Sequence, residues 1–196
     1  MTPYIAGNDG ESGMADQSQY QLFETAAGIA AIGWKGDDIT RFRLPAPTAP
    51  ETERAILRHL PGATRAEPPA GIAAVTDAAI HYFEGERVEF FEAPVAFGGQ
   101  PPFVAQVYAH VRKLGWGETT TYGAVARALG AGPEHARAVG QAMATNPVPL
   151  IIPCHRVLAA GGAIGGFSAP GGSQSKARML ELEGVATGPA QRRFDF

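Results

Sequence analysis

Short apolar runs separated by turn-forming residues dominate the first part of the chain, after a polar start. Runs of this kind at residues 22–24, 29–34 and 39–43 predict three β-strands. The sequence KGDD at 35–38 lies between the last two runs and is typical of a hairpin turn, because Gly and Asp tolerate its backbone angles. We therefore expect the second and third strands to be neighbours in a sheet.

Apolar residues change to a helical spacing after residue 50. Pro50 is expected to begin an amphipathic helix, and the Pro-Gly pair at 61–62 to end it. The predicted inner face of this helix carries Ile56, Leu57 and Leu60. A second helix is predicted over residues 75–83. Strands and helices mixed in this way favour a small α/β domain over residues 19–97.

Nothing in this predicted α/β domain points to catalysis or to metal binding. Its two histidines, His59 and His81, stand without other metal-ligating residues in the sequence pattern. We therefore interpret both histidines as structural.

A joint rich in Gly and Pro at residues 96–102 separates this half from a helical half, which we place at residues 98–186. Gly115 and Gly117 close the first helix predicted there. Its apolar residues have the spacing of a core-facing helix and are Phe103, Val104, Val107, Tyr108 and Val111.

Two further helices are predicted around a tight turn. Threonines at 119–121 offer N-caps for a short helix over 122–129, the sequence GAGP at 130–133 forms the turn, and a third helix runs over 134–145. This is a helix-turn-helix pattern, which is a common DNA-binding device. Many helical hairpins without that function look the same, so the pattern alone leaves both interpretations open.

Localisation can be inferred from the two termini of the sequence and from the length of its apolar runs. Residues 1–18 are polar and are expected to be disordered, and residues 187–196 form a tail beyond the predicted domains. The first residues have neither the basic start nor the apolar core of a secretory signal. No apolar run approaches the roughly 20 residues that span a bilayer. We therefore expect a cytoplasmic protein without membrane contact.

The net charge of −3 argues against a general nucleic-acid binder, but the charge is unevenly distributed. Residues 1–100 contain 7 Lys and Arg against 14 Asp and Glu, whereas residues 101–196 contain 9 against 5. This asymmetry is compatible with a DNA-binding face on the second half. A solvated basic surface is the commoner explanation.

Cys154 is the only cysteine of the chain, which excludes an internal disulfide and a cysteine-based zinc site. We expect neither a metal nor a cofactor. A lone cysteine is by default a small buried hydrophobic residue. The residues that follow it, His155 and Arg156, change this interpretation.

The segment at 146–157, NPVPLIIPCHRV, combines a nucleophile with a base. Its prolines and apolar residues predict an extended, rigid backbone. The thiolate is the reactive form of cysteine, so His155 could accept the proton and Arg156 could add positive potential. Neighbouring side chains on an extended strand point to opposite faces, which favours a bridging water between Cys154 and His155.

A histidine base needs an orienting partner, and Glu183 is the candidate carboxylate. Glu183 ends an apolar helix predicted over 176–183. Composition alone would make it an exposed residue at a helix end, so both interpretations stay open.

The motif PCHRV, preceded by NPVPLII, resembles the active-site signature of the O6-alkylguanine-DNA alkyltransferases. The similarity extends upstream through GETTTYGAVARALG and ARAVGQAMATN, and downstream through GAIGGFS and KARMLELEG. It covers residues 101–185 closely, whereas the first half matches only in length and general pattern. The resemblance implies a ribonuclease H-like α/β domain followed by a mainly α domain with a helix-turn-helix.

The same resemblance implies direct-reversal DNA repair, in which the alkyl group of O6-alkylguanine is transferred irreversibly to the protein in a single turnover. O4-alkylthymine is a further candidate substrate. Cys154 would accept the group, His155 would act as base through water, and Glu183 would orient His155. Asn146 would stiffen the turn beside the cysteine. Tyr122 would help to extrude the modified nucleotide and protonate the leaving guanine.

The implied partner is double-stranded DNA, bound through its minor groove by a monomer. The modified base would be flipped out, because O6 is closed to in-line attack inside the base stack. Arg137 would fill the gap in the duplex, and small neighbours such as Ala136 would permit close approach. The other implied contacts are Tyr122 and Ser168 with DNA, and Met143, Val157, Phe167 and Ser168 around the base.

Two features depart from the family pattern. Phe167 stands where the family usually has a tyrosine, and the loop at 168–175 is longer than usual. Both border the implied base pocket, so they bear on the range of substrates rather than on the transfer itself.

Three other functions remain open. A non-reactive binder of alkylated DNA would resemble the alkyltransferase-like proteins, in which tryptophan commonly replaces the cysteine. A Cys-His-Glu thiol hydrolase would use the same residues but would return to its starting state after each turnover. A transcription regulator would need a sensor or activator domain, and none is visible in the sequence.

Overall fold

The computed structural model describes residues 17–186, so the expectations for residues 1–16 and for the tail at 187–196 lie outside the described residues. The first half contains β1 (Gln19–Thr25), β2 (Gly28–Lys35), β3 (Asp38–Ala46), α1 (Ala49–Leu57), β4 (Thr64–Arg65) and α2 (Ala70–Phe83). The second half contains α3 (Pro102–Val111), β5 (Thr120–Thr121), α4 (Tyr122–Ala128), α5 (Ala136–Ala144), β6 (Val157–Leu158) and α6 (Gly172–Leu182). Short 3₁₀ turns cover Pro133–His135, Cys154–Arg156 and Ala160–Gly162.

Four strands form one sheet in the order β3-β2-β1-β4, in which only β4 runs parallel to its neighbour. The three predicted strands and the turn at 35–38 are confirmed. Successive residues of β2 are buried, because helices cover both faces of the sheet. On one face α1 and the turn after it pack so closely that a Cβ at Gly33 would lie 3.3 Å from the side chain of Ile56 and would overlap that of Leu60.

The other face of the sheet belongs to a cluster of buried side chains that continues into the helical half. Trp34, Tyr82, Tyr108 and Cys154 are all members of this cluster. The two halves of the chain therefore share one core, and the only cysteine lies within it.

The outer edge of β3 is covered by two segments from outside the sheet. Ile39 N donates to Pro94 O at 2.6 Å, and Phe42 N donates to Pro147 O at 2.9 Å. Sheet edges generally need such cover. Because Pro147 belongs to the segment that precedes Cys154, the sheet fixes the position of that segment.

Several predicted helix boundaries differ from the structure. α1 ends at Leu57, and the buried Leu60 lies beyond its end. Leu60 precedes Pro61, and a residue before proline disfavours the helical conformation. α2 begins before residue 75 and α6 before residue 176, because their first turns consist of small or polar residues that give no apolar signal. The helix predicted over 134–145 is a 3₁₀ turn followed by α5.

Between residues 17 and 186, no helix combines the length and the apolarity needed to cross a membrane.

Candidate active site

Cys154 lies in a tight turn and not on an extended strand, so the predicted backbone of this segment is wrong. Pro153 has φ −77° and ψ 67°, and Cys154 N donates to Ile152 O at 2.7 Å, which is the geometry of an inverse γ-turn. A 3₁₀ turn follows, in which Arg156 N donates to Pro153 O at 2.9 Å. Proline fixes φ but leaves ψ free, so it does not enforce an extended chain. The alternation of strand faces therefore does not apply to Cys154 and His155.

Asn146 holds the loop that leads to the cysteine. Its Nδ2 donates to Ile152 O at 2.8 Å, and its Oδ1 accepts from Val148 N at 3.0 Å. Within this loop the buried Leu150 has φ 80°, a left-handed conformation that side chains of its size rarely adopt. Such a strained backbone persists only when surrounding hydrogen bonds hold it in place. The two bonds of Asn146 flank Leu150, as its expected role in stiffening this turn requires.

His155 and Glu183 form a buried hydrogen-bonded pair. His155 Nε2 lies 2.7 Å from Glu183 Oε1, and both side chains are inaccessible to solvent. Burial lowers the pKa of His155 although Glu183 acts to raise it, so the imidazole is neutral at neutral pH. With the Nε2 proton directed at the carboxylate, Nδ1 carries the free lone pair. This Nδ1 is buried and has no hydrogen-bond partner among residues 17–186, so it is the atom that can take a proton.

The Glu183 carboxylate accepts hydrogen bonds from four residues. Besides His155, the donors are Tyr82 Oη at 2.8 Å, Arg156 Nε and Nη2 at 2.9 and 3.0 Å, and Gly117 N at 3.1 Å. Burial by itself raises the pKa of Glu183, but the bonds from His155 and Arg156 outweigh it and lower the pKa to about 2. Gly117 has φ 74°, and a Cβ there would lie 3.2 Å from Glu183 O, so this donor position favours glycine.

Arg156 does not supply free positive potential to the thiol, contrary to the sequence expectation. Its guanidinium is buried against Glu183 and also donates to Leu114 O at 2.5 Å. The carboxylate neutralises the charge of Arg156, so the guanidinium holds Glu183 ionised and oriented.

Lys176 is the cation that acts on the thiol, and it was not predicted from the sequence. The side chain is fully buried, and Nζ donates to Val157 O at 2.5 Å. Nζ also lies 5.7 Å from the ring centroid of Tyr122 and 6.0 Å from that of Phe167. Burial lowers the pKa of Lys176 to about 8. A signal was present, since Lys176 precedes the buried Met179 and Leu180 by three and four positions on one helix face.

The resting Cys154 is a thiol. Burial raises its pKa, while a hydrogen bond from Asn146 and the charge of Lys176 act in the opposite direction. A base is therefore required before Cys154 can act as a nucleophile.

The remaining predicted site residues lie around this centre and on α5. Tyr122 is half-buried at the start of α4, and burial raises the pKa of its phenol, which stays protonated. Met143 is buried in α5, and Ser168 Oγ donates to Ala144 O at 2.9 Å. Arg137 is exposed on α5, and its neighbour Ala136 is half-buried. The structure thus brings Tyr122, Val157 and Phe167 together around Lys176 and leaves Arg137 on the surface.

Two residues of the first half differ from expectation. Tyr82, on α2, reaches Glu183, although no residue of this half was expected near the chemistry. His81 is not isolated, since Nδ1 lies 3.4 Å from carboxylate oxygens of Glu84 and Glu86. All three of these side chains are exposed, so we interpret the group as a cluster of polar surface side chains.

These contacts define a candidate site for thiol chemistry. A buried cysteine is followed by a neutral histidine, and a glutamate that is ion-paired with Arg156 holds this histidine in place. A family model described as "6-O-methylguanine DNA methyltransferase, DNA binding domain" matches residues 102–185. The methylated-DNA–protein-cysteine methyltransferase of Metallosphaera sedula is 45% identical over 104 residues, which are 53% of this chain and 62% of that relative. The match thus spans less than two thirds of the relative's length.

Solved structures extend the similarity over the first half. The O6-methylguanine methyltransferase of Mycobacterium tuberculosis superposes with a TM-score of 0.68 and 30% identity, covering 91% of this chain and 100% of that one. The structure titled Mycobacterium tuberculosis OGT in complex with DNA gives a TM-score of 0.68 and 31% identity, with 84% and 92% covered. The chain belongs to the 6-O-methylguanine DNA methyltransferase family.

Proposed function

We propose that this protein repairs DNA by transferring the alkyl group from O6 of guanine to Sγ of Cys154, where the group remains. The observation that carries the proposal is the burial of the only cysteine next to a neutral His155 that is bonded to Glu183. Relatives from Metallosphaera sedula and Sulfolobus acidocaldarius are named for methyl transfer from DNA to a protein cysteine, which supports the same reaction type here.

In the proposed step, the bond from Sγ to the alkyl carbon forms as the bond from that carbon to O6 breaks. The thiol proton passes to Nδ1 of His155, directly or through water, and Glu183 stabilises the resulting imidazolium through Nε2. Tyr122 donates a proton to the leaving guanine, and the imidazolium of His155 then returns a proton to Tyr122, directly or through water. In balance, the thiol loses one proton, the guanine gains one, and His155 and Tyr122 return to their starting forms. The thioether has no good leaving group, and one molecule of protein therefore acts once.

For DNA recognition, α4 and α5 are the two helices of the proposed helix-turn-helix. Thr121 Oγ1 caps α4 by accepting from Ala124 N at 3.2 Å, and Gly130 with φ 74° begins the turn after it. The small residues Ala136 and Gly140 leave α5 slim enough to approach the minor groove. Arg137 enters the duplex there and replaces the flipped base.

The finer description of the fold is also part of the proposal. Three antiparallel strands followed by a parallel fourth support a ribonuclease H-like first domain. The start of the family match at residue 102 supports a division near residues 97 and 98.

The test is the intact mass of the protein after incubation with duplex DNA that contains O6-methylguanine. We expect each molecule to gain one methyl group in place of the thiol proton, and DNA in excess to leave no more than one methyl group per protein. A thiol hydrolase would return to its starting mass while it kept consuming substrate, and a non-reactive binder would gain no mass. Either result would refute the proposal.

Arg137→Ala is expected to slow transfer from duplex DNA about ten- to a hundredfold, because an extruded base costs a few kcal/mol when nothing fills its place. Transfer from free O6-benzylguanine should stay close to that of the native protein, since Arg137 is exposed on α5 whereas His155 and Glu183 are buried. Single-turnover rates on both substrates measure this. Arg58→Ala removes another exposed arginine from the first half and serves as the matched control. Equal losses on both substrates would show that Arg137 acts on the fold.

A further inference from the structure

Tyr82 connects the first half of the chain directly to the His155–Glu183 pair. Tyr82 Oη donates to Glu183 Oε1 at 2.8 Å and lies 3.3 Å from His155 Nε2. The oxygen that orients His155 also accepts from Arg156 Nη2, and the bond from Tyr82 competes with both. Tyr82 belongs to α2, outside the region that the family model matches.

The packing around Tyr82 fixes its hydroxyl in this position. The side chain is fully buried, and its ring makes edge contacts with Phe83 at 5.1 Å, Trp116 at 5.4 Å and His155 at 6.3 Å between centroids. Burial and the Glu183 charge both raise the pKa of Tyr82, so the phenol keeps its proton and remains a donor.

We propose that Tyr82 is a positioning residue that limits the negative charge which Glu183 offers to His155, and that it thereby sets the pH range in which the histidine can act as a base. The inference rests on the proposed alkyl transfer. It assigns to the first half a part in the chemistry beyond that of a scaffold.

The sign of the effect follows from the groups that face His155. Glu183 favours the imidazolium, whereas Arg156 and Lys176 disfavour it. Farther out, Glu89 Oε2 lies 4.0 Å from Arg156 Nη1. The hydrogen bond from Tyr82 draws charge from Oε1 and so weakens the one contribution that favours the protonated ring.

Tyr82→Phe should therefore raise the pKa of His155, because Oε1 then shares its charge only between Nε2–H and the Arg156 guanidinium. Only neutral His155 can take the thiol proton, so the acid limb of the pH–rate profile should move to higher pH. We expect a shift of about half to one pH unit, since a lost hydrogen bond to a charged group changes an equilibrium about tenfold and one pKa unit is a factor of ten.

The measurement is the pH dependence of single-turnover alkyl transfer, together with that of Cys154 alkylation by iodoacetamide, which requires no DNA. Tyr20→Phe is the matched control, because Tyr20 Oη also donates to a carboxylate, Glu53 Oε1, at 2.7 Å but belongs to a separate cluster on the other face of the sheet. We expect the control to keep the native acid limb in both assays. Melting temperatures show whether each variant is folded.

A second variant makes the test independent of the stability of Tyr82→Phe. Site-specific 3-fluorotyrosine at position 82 keeps the ring and the hydroxyl but makes the hydroxyl a stronger donor, so the acid limb should move to lower pH. Shifts in these opposite directions would support the inference. An unchanged limb in the fluorotyrosine variant would overturn it, as would a reduced plateau with an unchanged limb in Tyr82→Phe. A native protein that reacts with iodoacetamide but not with alkylated DNA would instead refute the proposed function, while the iodoacetamide profiles still decide the role of Tyr82.

Discussion

Cys154→Ala is expected to abolish alkyl transfer completely and to leave the fold and DNA binding intact. The change removes the only thiol of the chain. A buried alternative acceptor is the Lys176 amine, whose pKa of about 8 leaves part of it unprotonated at neutral pH. Lys176 Nζ is, however, bonded to Val157 O. We therefore do not expect this amine to align with the carbon that Cys154 attacks.

Alkyl transfer is measured by the intact mass after incubation with O6-methylguanine DNA. DNA binding is measured separately, by fluorescence anisotropy with the same DNA. Cys154→Ser is the matched control, because it restores a nucleophilic oxygen of similar size whose proton His155 is too weak a base to remove. Both variants should bind DNA and gain no mass. A methyl group found on Lys176 or on any other residue of Cys154→Ala would contradict the assignment of Cys154 as the acceptor.

Signals that lie close together in the sequence predicted most of the fold. The hairpin of β2 and β3 was predictable because apolar runs flank a KGDD turn, and the start of α4 because Thr121 is a favourable N-cap. The predicted starts of α2 and α6 were wrong, because the first turns of these helices, from Ala70 and Gly172, carry small residues. Burial of β2 on both faces was not predictable, because it depends on α1 and on the helical half packing against opposite sides of the sheet.

The candidate site was predictable as far as the motif reaches. Cys154 and His155 are adjacent in the sequence. Glu183 was a candidate carboxylate at a helix end, and the resemblance over residues 101–185 favours it over an exposed residue. The turn at Pro153 was missed because ψ of a proline depends on the bonds that follow it. Tyr82 was missed for another reason. Its register with Val75 and Ala79 predicts an inward side chain, but a partner 101 positions away in the chain leaves no trace in a single sequence.

Glu183→Gln is expected to lower the free energy of unfolding at neutral pH by about 3–5 kcal/mol, because it removes the buried carboxylate bonded to the Arg156 guanidinium and leaves only Glu89, at 4.0 Å, as a counter-charge. Transfer should slow by about 10²- to 10⁴-fold, since His155 loses the group that stabilises its protonated form. The side chain keeps its shape, but only one of Tyr82 and Gly117, which donate to different carboxylate oxygens, can still donate to the single amide oxygen, so the variant loses a hydrogen bond as well as the charge.

The stability effect should depend on pH in a defined direction. The folded protein lowers the pKa of Glu183 from its ordinary value of 4.5 to about 2. A depressed pKa contributes stability that is fully present above the unfolded value and is lost as the pH falls towards the folded one. The contribution is worth about 3 kcal/mol, because one pKa unit corresponds to about 1.4 kcal/mol. Urea unfolding of the native protein and of Glu183→Gln should therefore differ most above pH 5 and converge towards pH 2. Glu53→Gln, which alters a carboxylate bonded to Tyr20 with no buried arginine beside it, should show little of this dependence. A difference between native protein and Glu183→Gln that stayed constant from pH 7 to pH 3 would mean that the ionised carboxylate is not what holds His155 and Arg156 together.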